Sequence, residues 1–229
     1  MADQRNNHNN HDDDHWSEEI MLARMDWLTV LAQKIMPRGF WKGKGEHIHL
    51  TFDDGPDPAS TPWLLELLEK ENIKATFFLM GSKAGRFPDL VEAIRKQGHA
   101  IGNHTFNHHF MPLLSIKKME YEIEKTNQEI QSVLQKQPVL FRPPFGILDH
   151  RGADILKERE MTPVYWSVVP GDWAPIGEQR VVSRVMKRLA PGTVLVLHEG
   201  HHIAKQTVNA AREIIKRSKG SSWTFDVIR

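Results

Sequence analysis

From His47 onward the chain alternates short runs rich in β-branched and aromatic residues with longer stretches whose apolar residues recur at helical spacing. A strand followed by a helix, many times over, folds most readily as parallel βα units, because each helical crossover returns the chain to the same end of the sheet. Strands are expected near residues 47–52, 75–79, 99–102, 138–141, 162–167, 193–197 and 223–228. Helices are expected near 60–71, 87–97, 115–136, 149–159, 178–189 and 205–218. Seven strands with six connecting helices suit either an incomplete barrel or an open doubly wound sheet, and periodicity does not choose between them.

The 229 residues suit one large α/β domain with its own core. Residues 1–15, rich in Asn, His and Asp, lack the apolar side chains that would offset ordering entropy and are expected to form a disordered tail. Residues 16–46 are expected to hold an amphipathic helix and a glycine-rich linker. The helix opens at Ser17, carries Glu18 and Glu19 in its first turn and is striped by Met21, Met25, Leu28, Ala32 and Ile35. Packing against the domain is the expected use of that stripe, while Trp16, Arg24 and Trp27 leave peripheral membrane contact through residues 16–36 open.

Thirty Lys and Arg against 29 Asp and Glu argue against the basic surface of a nucleic-acid binder, and no partner protein is evident. The absence of cysteine excludes disulfides, thiolate metal sites and a cysteine nucleophile, so any metal must sit on histidine and carboxylate. No apolar run reaches the roughly 20 residues that span a bilayer, and the first residues do not read as a signal peptide. A cytoplasmic or membrane-peripheral location is therefore expected.

Five polar motifs follow predicted strands. Thr51-Phe52-Asp53-Asp54-Gly55-Pro56 ends a strand on two adjacent carboxylates, which repel and need a cation, a proton or strong donors to stay ionised in a cleft. Asp, Gly and Pro are also ordinary turn residues. His104 and His108 stand four apart, which is expected to place both imidazoles on one side of a helical turn, ready to supply two nitrogens to one metal. The alternative is a pair of surface histidines, with His109 beside them. In Arg142-Pro143-Pro144-Phe145-Gly146 the prolines fix the backbone and remove donors, so the N–H groups of Phe145 and Gly146 are the first free ones beyond Arg142. Such groups suit an oxyanion, or simply a rigid turn. Asp172-Trp173 and His198 follow two further strands. In parallel α/β folds the C-terminal strand ends share one face, and that face carries the chemistry. Together the motifs hold metal ligands, a spare carboxylate base, a positive orienter and a separate histidine acid, the parts of a hydrolytic site.

In combination these motifs resemble the polysaccharide deacetylases of the NodB-homology type, carbohydrate esterase family 4, from about His47 to the C-terminus. Ala75-Thr76-Phe77-Phe78 and Gly98-His99-Ala100-Ile101-Gly102-Asn103 are similar to that family as well. The resemblance implies an α/β fold, a distorted (β/α) barrel of about seven parallel strands, with residues 47–229 as the catalytic domain. It implies a metal-dependent hydrolase that removes N-acetyl groups from an N-acetylglucosamine-containing glycan, such as peptidoglycan, a chitin-like oligomer or an exopolysaccharide, and releases acetate. An O-deacetylase, a small-molecule amidohydrolase and a carbohydrate-binding pseudoenzyme are alternatives on the same scaffold. Although the family often works outside the cytoplasm, the motifs carry no location.

Carried over by position, the resemblance makes Asp54, His104 and His108 the ligands of one divalent metal, zinc with cobalt or nickel as alternatives. Asp53 becomes the general base and His198 the general acid, while the N–H of Phe145 helps hold the oxyanion. Arg142 orients Asp53, Asp172 supports protonated His198, and Trp173 with Val196 walls the acetyl methyl. Three positions depart from the family pattern: Val169 stands where the fuller fourth motif has an acid, Phe145 replaces a frequent Tyr, and Val196 replaces the usual Leu before the last histidine. These departures bear on substrate fit and leave the implied ligands, base and acid intact.

Overall fold

In the computed structural model seven strands all pair in parallel: β1 (His47–Gly55), β2 (Thr76–Leu79), β3 (Ala100–Asn103), β4 (Leu140–Phe141), β5 (Thr162–Pro163), β6 (Val194–His198) and β7 (Thr224–Phe225). Between them run α1 (Thr61–Lys70), α2 (Gly81–Arg86), α3 (Pro88–Lys96), α4 (Ile116–Leu134), α5 (His150–Glu158), α6 (Glu178–Met186) and α7 (Ala204–Ser218). The structure describes residues 39–229 throughout and, ahead of them, Leu31, Lys34 and Met36. The expected tail 1–15 and the expected amphipathic helix lie outside the described residues, except that Leu31 and Lys34 are helical. Among the described residues no helix is long and apolar enough to cross a membrane.

Strand order is β5-β4-β3-β2-β1-β6, with β7 beside the first residues of β1. Beyond β5 the chain carries the ring onward in irregular form. Val164 bridges Phe40, the Ser167 and Val168 amides both donate to Val194 O at 3.1 Å, and Val196 N donates to Val168 O at 3.0 Å. Residues 164–168 thus link β5 to β6. The result is a distorted (β/α) barrel, which decides between the two architectures that periodicity left open.

Side chains alternate along the strands as a pleat requires. Leu50 and Phe52 of β1, Phe77 and Leu79 of β2, and Leu195 and Leu197 of β6 face the surrounding helices, where they pack with Leu64, Leu68, Val91, Ile94 and Ile214. Full burial of each such side chain contributes about 1.5–3 kcal/mol. The opposite faces of the same strands turn into the barrel. There Phe78, Leu140, Val164, Val194 and Ile228 fill the lumen. Thr51 and Asp53 share that inward parity, so β1 ends by pointing a carboxylate into the mouth of a filled barrel.

All six expected helices are present, and α2 is an addition. Its sequence, Gly-Ser-Lys-Ala-Gly-Arg, has two glycines and no apolar stripe. Packing explains it: a Cβ on Gly81 would lie 2.5 Å from Thr126 Oγ1, and one on Gly85 would lie 2.7 Å from Glu129 Oε2. The glycines let α2 approach α4 closely, and that tertiary contact overrides their poor helix propensity. The expected strand 162–167 shortens to Thr162–Pro163 because the following residues bond alternately to Phe40 and β6.

Candidate active site

Successive residues of a regular strand point to opposite faces, so Asp53 and Asp54 should diverge. A register shift between Asp53 and Gly55 against β2 leaves Asp54 as an extra residue, with φ of 68°. A bulge of this kind re-aims a side chain. Both carboxylates consequently reach one imidazole: Asp53 Oδ2 lies 3.9 Å and Asp54 Oδ1 3.5 Å from His104 Nε2.

His104 follows β3 directly. Its Nδ1 lies 2.7 Å from the Arg142 carbonyl oxygen, which can only accept, so Nδ1 carries the hydrogen. In the neutral ring this leaves a lone pair on Nε2, aimed at Asp54, and a main-chain oxygen on the other nitrogen is how a metal-binding histidine is typically oriented. His108 also reaches Asp54 Oδ1, at 3.4 Å from its Nε2. The segment joining them is not the helical turn expected from the spacing. Thr105 and His108 have φ of 63° and 57°, and the loop is pinned by Thr105 N to Asn103 Oδ1 at 2.7 Å, His108 N to Thr105 Oγ1 at 3.1 Å and Asn107 N to Glu122 Oε2 at 2.7 Å. Fully buried Glu122 also accepts from His109 Nδ1 at 2.9 Å, which gives His109 a structural use. Two left-handed residues in the loop therefore do what one helical turn was expected to do.

Asp54, His104 and His108 each offer one ligand atom within 4.8 Å of the others. Asp54 Oδ1 is buried and makes no hydrogen bond. A buried acceptor facing imidazole nitrogens across 3.4–3.5 Å lacks a positive partner, and a cation fits that need. Burial pushes the Asp54 carboxyl up, but His104, His108 and His198 together outweigh it and hold the group well below the usual carboxylate range. His108 moves down, chiefly by burial and then by His104, which favours the neutral ring, the form that can offer a nitrogen to a metal.

Arg142, just past β4, is fully buried. Its Nη1 donates to Asp53 Oδ1 and to Thr51 Oγ1, both at 2.6 Å, while Nε and Nη2 donate to the Val164 and Tyr165 carbonyls at 3.3 and 3.1 Å. The guanidinium lies 4.0 Å over the Phe78 ring. With Oδ1 taken, Asp53 is left with Oδ2 toward His104. Directly after Arg142, Pro143 O accepts from Gly146 N at 3.0 Å, so of the two amides expected to be free only that of Phe145 lacks a partner among the described residues. Phe145 has φ of 59°, is 58% exposed and sets its ring edge-on to His108, 4.8 Å between centroids.

His198, the last residue of β6, is in register with Asp53. Asp172 binds it twice: Oδ1 lies 2.9 Å from Nδ1 and Oδ2 accepts the His198 amide at 2.7 Å. Burial alone would lower the imidazole pKa, but the fully buried Asp172 outweighs it and raises the value to about 9. Trp173 is half exposed and meets the His198 ring edge-on at 5.3 Å. Val196 is completely buried, two residues below His198 on the same inward parity. The structure thus gathers Asp53, Asp54, His104, His108, Arg142, Phe145, Asp172, Trp173 and His198 at one mouth and places Val196 beneath it.

A family model for polysaccharide deacetylase matches residues 42–164. The chain belongs to the polysaccharide deacetylase family. A peptidoglycan-N-acetylglucosamine deacetylase of Bacillus cereus is 36% identical over 202 residues, covering 86% of this chain and 94% of the relative. A chitooligosaccharide deacetylase of Rhizobium leguminosarum bv. trifolii is 34% identical over 157 residues, covering 67% and 72%. Among solved structures, a peptidoglycan N-acetylglucosamine deacetylase in complex with 4-naphthalen-1-yl-N-oxidanyl-benzamide superposes with a TM-score of 0.79 at 32% identity, covering 82% of this chain and 89% of that one. The fold and family expected from the motifs are those observed.

One residue of this polysaccharide deacetylase family chain was not singled out by its sequence motifs. Glu199, directly after His198, is buried; its Oε2 accepts from Ser60 Oγ at 2.8 Å and from Thr61 Oγ1, and Oε1 is unpaired. Burial raises its pKa to about 7, with Thr61, Ser60 and Lys83 opposing. Its signal was the same one that marks Asp53 and Asp54, a carboxylate at the end of an apolar strand.

Proposed function

We propose that residues 47–229 form a metal-dependent N-deacetylase acting on an N-acetylglucosamine-containing glycan, with Asp54, His104 and His108 holding one divalent ion, zinc or alternatively cobalt or nickel. The observation that carries this reading is the buried, unpartnered Asp54 Oδ1 facing the Nε2 atoms of both histidines. N-Acetylglucosamine is the unit named for the Bacillus cereus relative, and chitooligosaccharides, named for the rhizobial one, are its oligomers. The exposed rings of Phe145 and Trp173 on either side of the mouth suit a sugar.

A divalent cation bound there supplies Lewis acidity, making water a stronger acid and an amide carbonyl a better electrophile. Asp53, steered by Arg142, presents Oδ2 to take the proton of the attacking water. The free amide of Phe145 donates to the oxyanion that develops on the former carbonyl. His198, protonated through Asp172, gives its proton to the departing amine. Trp173 shields the acetyl methyl, with Val196 below.

Acetate release from chitooligosaccharides and peptidoglycan, measured with metal content, tests this reading. Release should vanish on chelation and return with zinc. Asp53→Asn should keep its metal and lose roughly 10²–10⁴ in turnover, whereas His104→Ala should lose both. Chelator-insensitive release, or normal metal content in His104→Ala, would contradict the assignment.

A further inference from the structure

Asp54 reaches its place only by holding a backbone conformation that disfavours any side chain. With φ of 68° it lies in the left-handed region, and as the extra residue of the bulge it stands outside the β1–β2 ladder. Its neighbours are secured by main-chain donors: Asp53 O accepts from Glu199 N at 2.8 Å and Gly55 O from Met80 N at 2.9 Å. The Asp54 carbonyl between them is held by a side chain, Lys83 Nζ at 2.7 Å.

Lys83 sits on α2, the helix that the sequence pattern did not foretell. The same helix secures the histidine loop, because Gly81 N donates to Thr105 O at 2.9 Å and Ser82 N to Phe106 O at 3.1 Å. Its own position is fixed by the close approach of Gly81 and Gly85 to α4. One short helix therefore touches the backbone of Asp54 and of two residues between His104 and His108, and it touches Asp54 through a charged donor, the stronger kind of hydrogen bond.

We infer that Lys83 is a positioning residue that locks the Asp54 backbone in its left-handed conformation and thereby sets the affinity of the Asp54–His104–His108 site for a divalent cation. This rests on the metal reading above. Lys83 is not one of the three clustered residues; its contact is with the Asp54 main chain. Removing its donor frees the Asp54 carbonyl, and the bulged residue can relax toward ordinary backbone, swinging Oδ1 away from His108.

Cobalt titration, read by calorimetry and by the visible d–d absorption, tests this on wild type, Lys83→Met, Lys83→Arg and Lys74→Met. Lys74 is the control, since its Nζ likewise donates to a main-chain oxygen, Gln97 O at 2.6 Å, away from the site. Lys83→Met should bind cobalt about 10–100-fold more weakly, the usual cost of losing an outer-shell partner, with an altered spectrum. Lys83→Arg, which keeps a charged donor, should recover most of that affinity, and Lys74→Met should match wild type. Equal affinity in Lys83→Met, or equal loss in Lys74→Met, would overturn the inference. Metal-free crystals give a separate decision: Asp54 should leave its left-handed conformation in Lys83→Met, and an unmoved Asp54 would refute the role. Should wild type itself bind no cobalt, the metal reading falls, and these crystals still judge Lys83. If Lys83→Met does not fold, Lys83→Arg with wild-type affinity supports the role and with Met-like loss in a folded protein rejects it.

Discussion

His104 and His198 stand at the ends of β3 and β6, each with Nδ1 held by an oxygen acceptor in the protein interior. For His104 that oxygen is the Arg142 carbonyl; for His198 it is the Asp172 carboxylate. A carbonyl fixes which nitrogen carries the hydrogen and adds no full charge, leaving Nε2 turned toward Asp54. A buried carboxylate favours a proton on both nitrogens and lifts the His198 pKa to about 9. In the proposed reading the same side chain serves as a ligand at one strand end and as an acid at the other.

Backbone strain divides along the same line. Asp54, Thr105, His108 and Phe145 on the ligand side all have positive φ without being glycine. Among the described residues the others, Asn72, Gln135 and Glu160, follow the ends of α1, α4 and α5, where left-handed residues commonly close helices. Strain that serves no helix end is concentrated, among the described residues, around the Asp54–His104–His108 cluster. On the His198 side Asp172 holds the ring by two hydrogen bonds, and the positive φ beside it falls on Gly171, where it costs little.

The largest test of this contrast is His198→Ala, which should cut turnover by roughly 10²–10⁴ while leaving metal content at the wild-type level. Joint loss of metal would mean that the two histidines share one role. Next, Asp172→Asn should return the His198 pKa from about 9 toward its ordinary 6.5 and pull the basic limb of the kcat profile down with it. At pH 8 the loss should be about 10–100-fold, since each pKa unit is a factor of ten in protonated acid. The sign also fixes a stability effect. A raised folded-state pKa contributes stability in full below pH 6.5 and loses it as pH rises through about 9, so thermal unfolding of wild type should soften over that window and Asp172→Asn should lack this softening. The smallest effect belongs to Trp173→Ala, which should raise KM several-fold and leave the basic limb in place, because Trp173 touches the His198 ring by its edge and carries no charge. A shifted limb in that variant would take the pKa control away from Asp172.

Much of this contrast was readable in the sequence, for identifiable reasons. Strand and helix periods located β1, β6 and the long α4 to within a few residues, because apolar alternation and helical spacing are local properties. The polar motifs were found because they interrupt such runs at the strand ends. Features that depend on distant packing were not legible. The glycines of α2 read as breakers until α4 is placed beside them, and the His104–His108 spacing suggested a helical turn where Thr105 and His108 adopt left-handed backbone. The Asp54 bulge is a mismatch between β1 and β2, and Glu199 acquires its meaning only from Ser60 and Thr61, which follow the neighbouring strand β1.

Imidazole protonation itself is the most direct measurement. In long-range proton–nitrogen correlation spectra of the zinc-loaded protein at pH 7.5, His198 should carry hydrogens on both nitrogens, while His104 should keep one on Nδ1 and none on Nε2. A neutral His198 ring, or a hydrogen on His104 Nε2, would contradict the division of labour between the two strand ends.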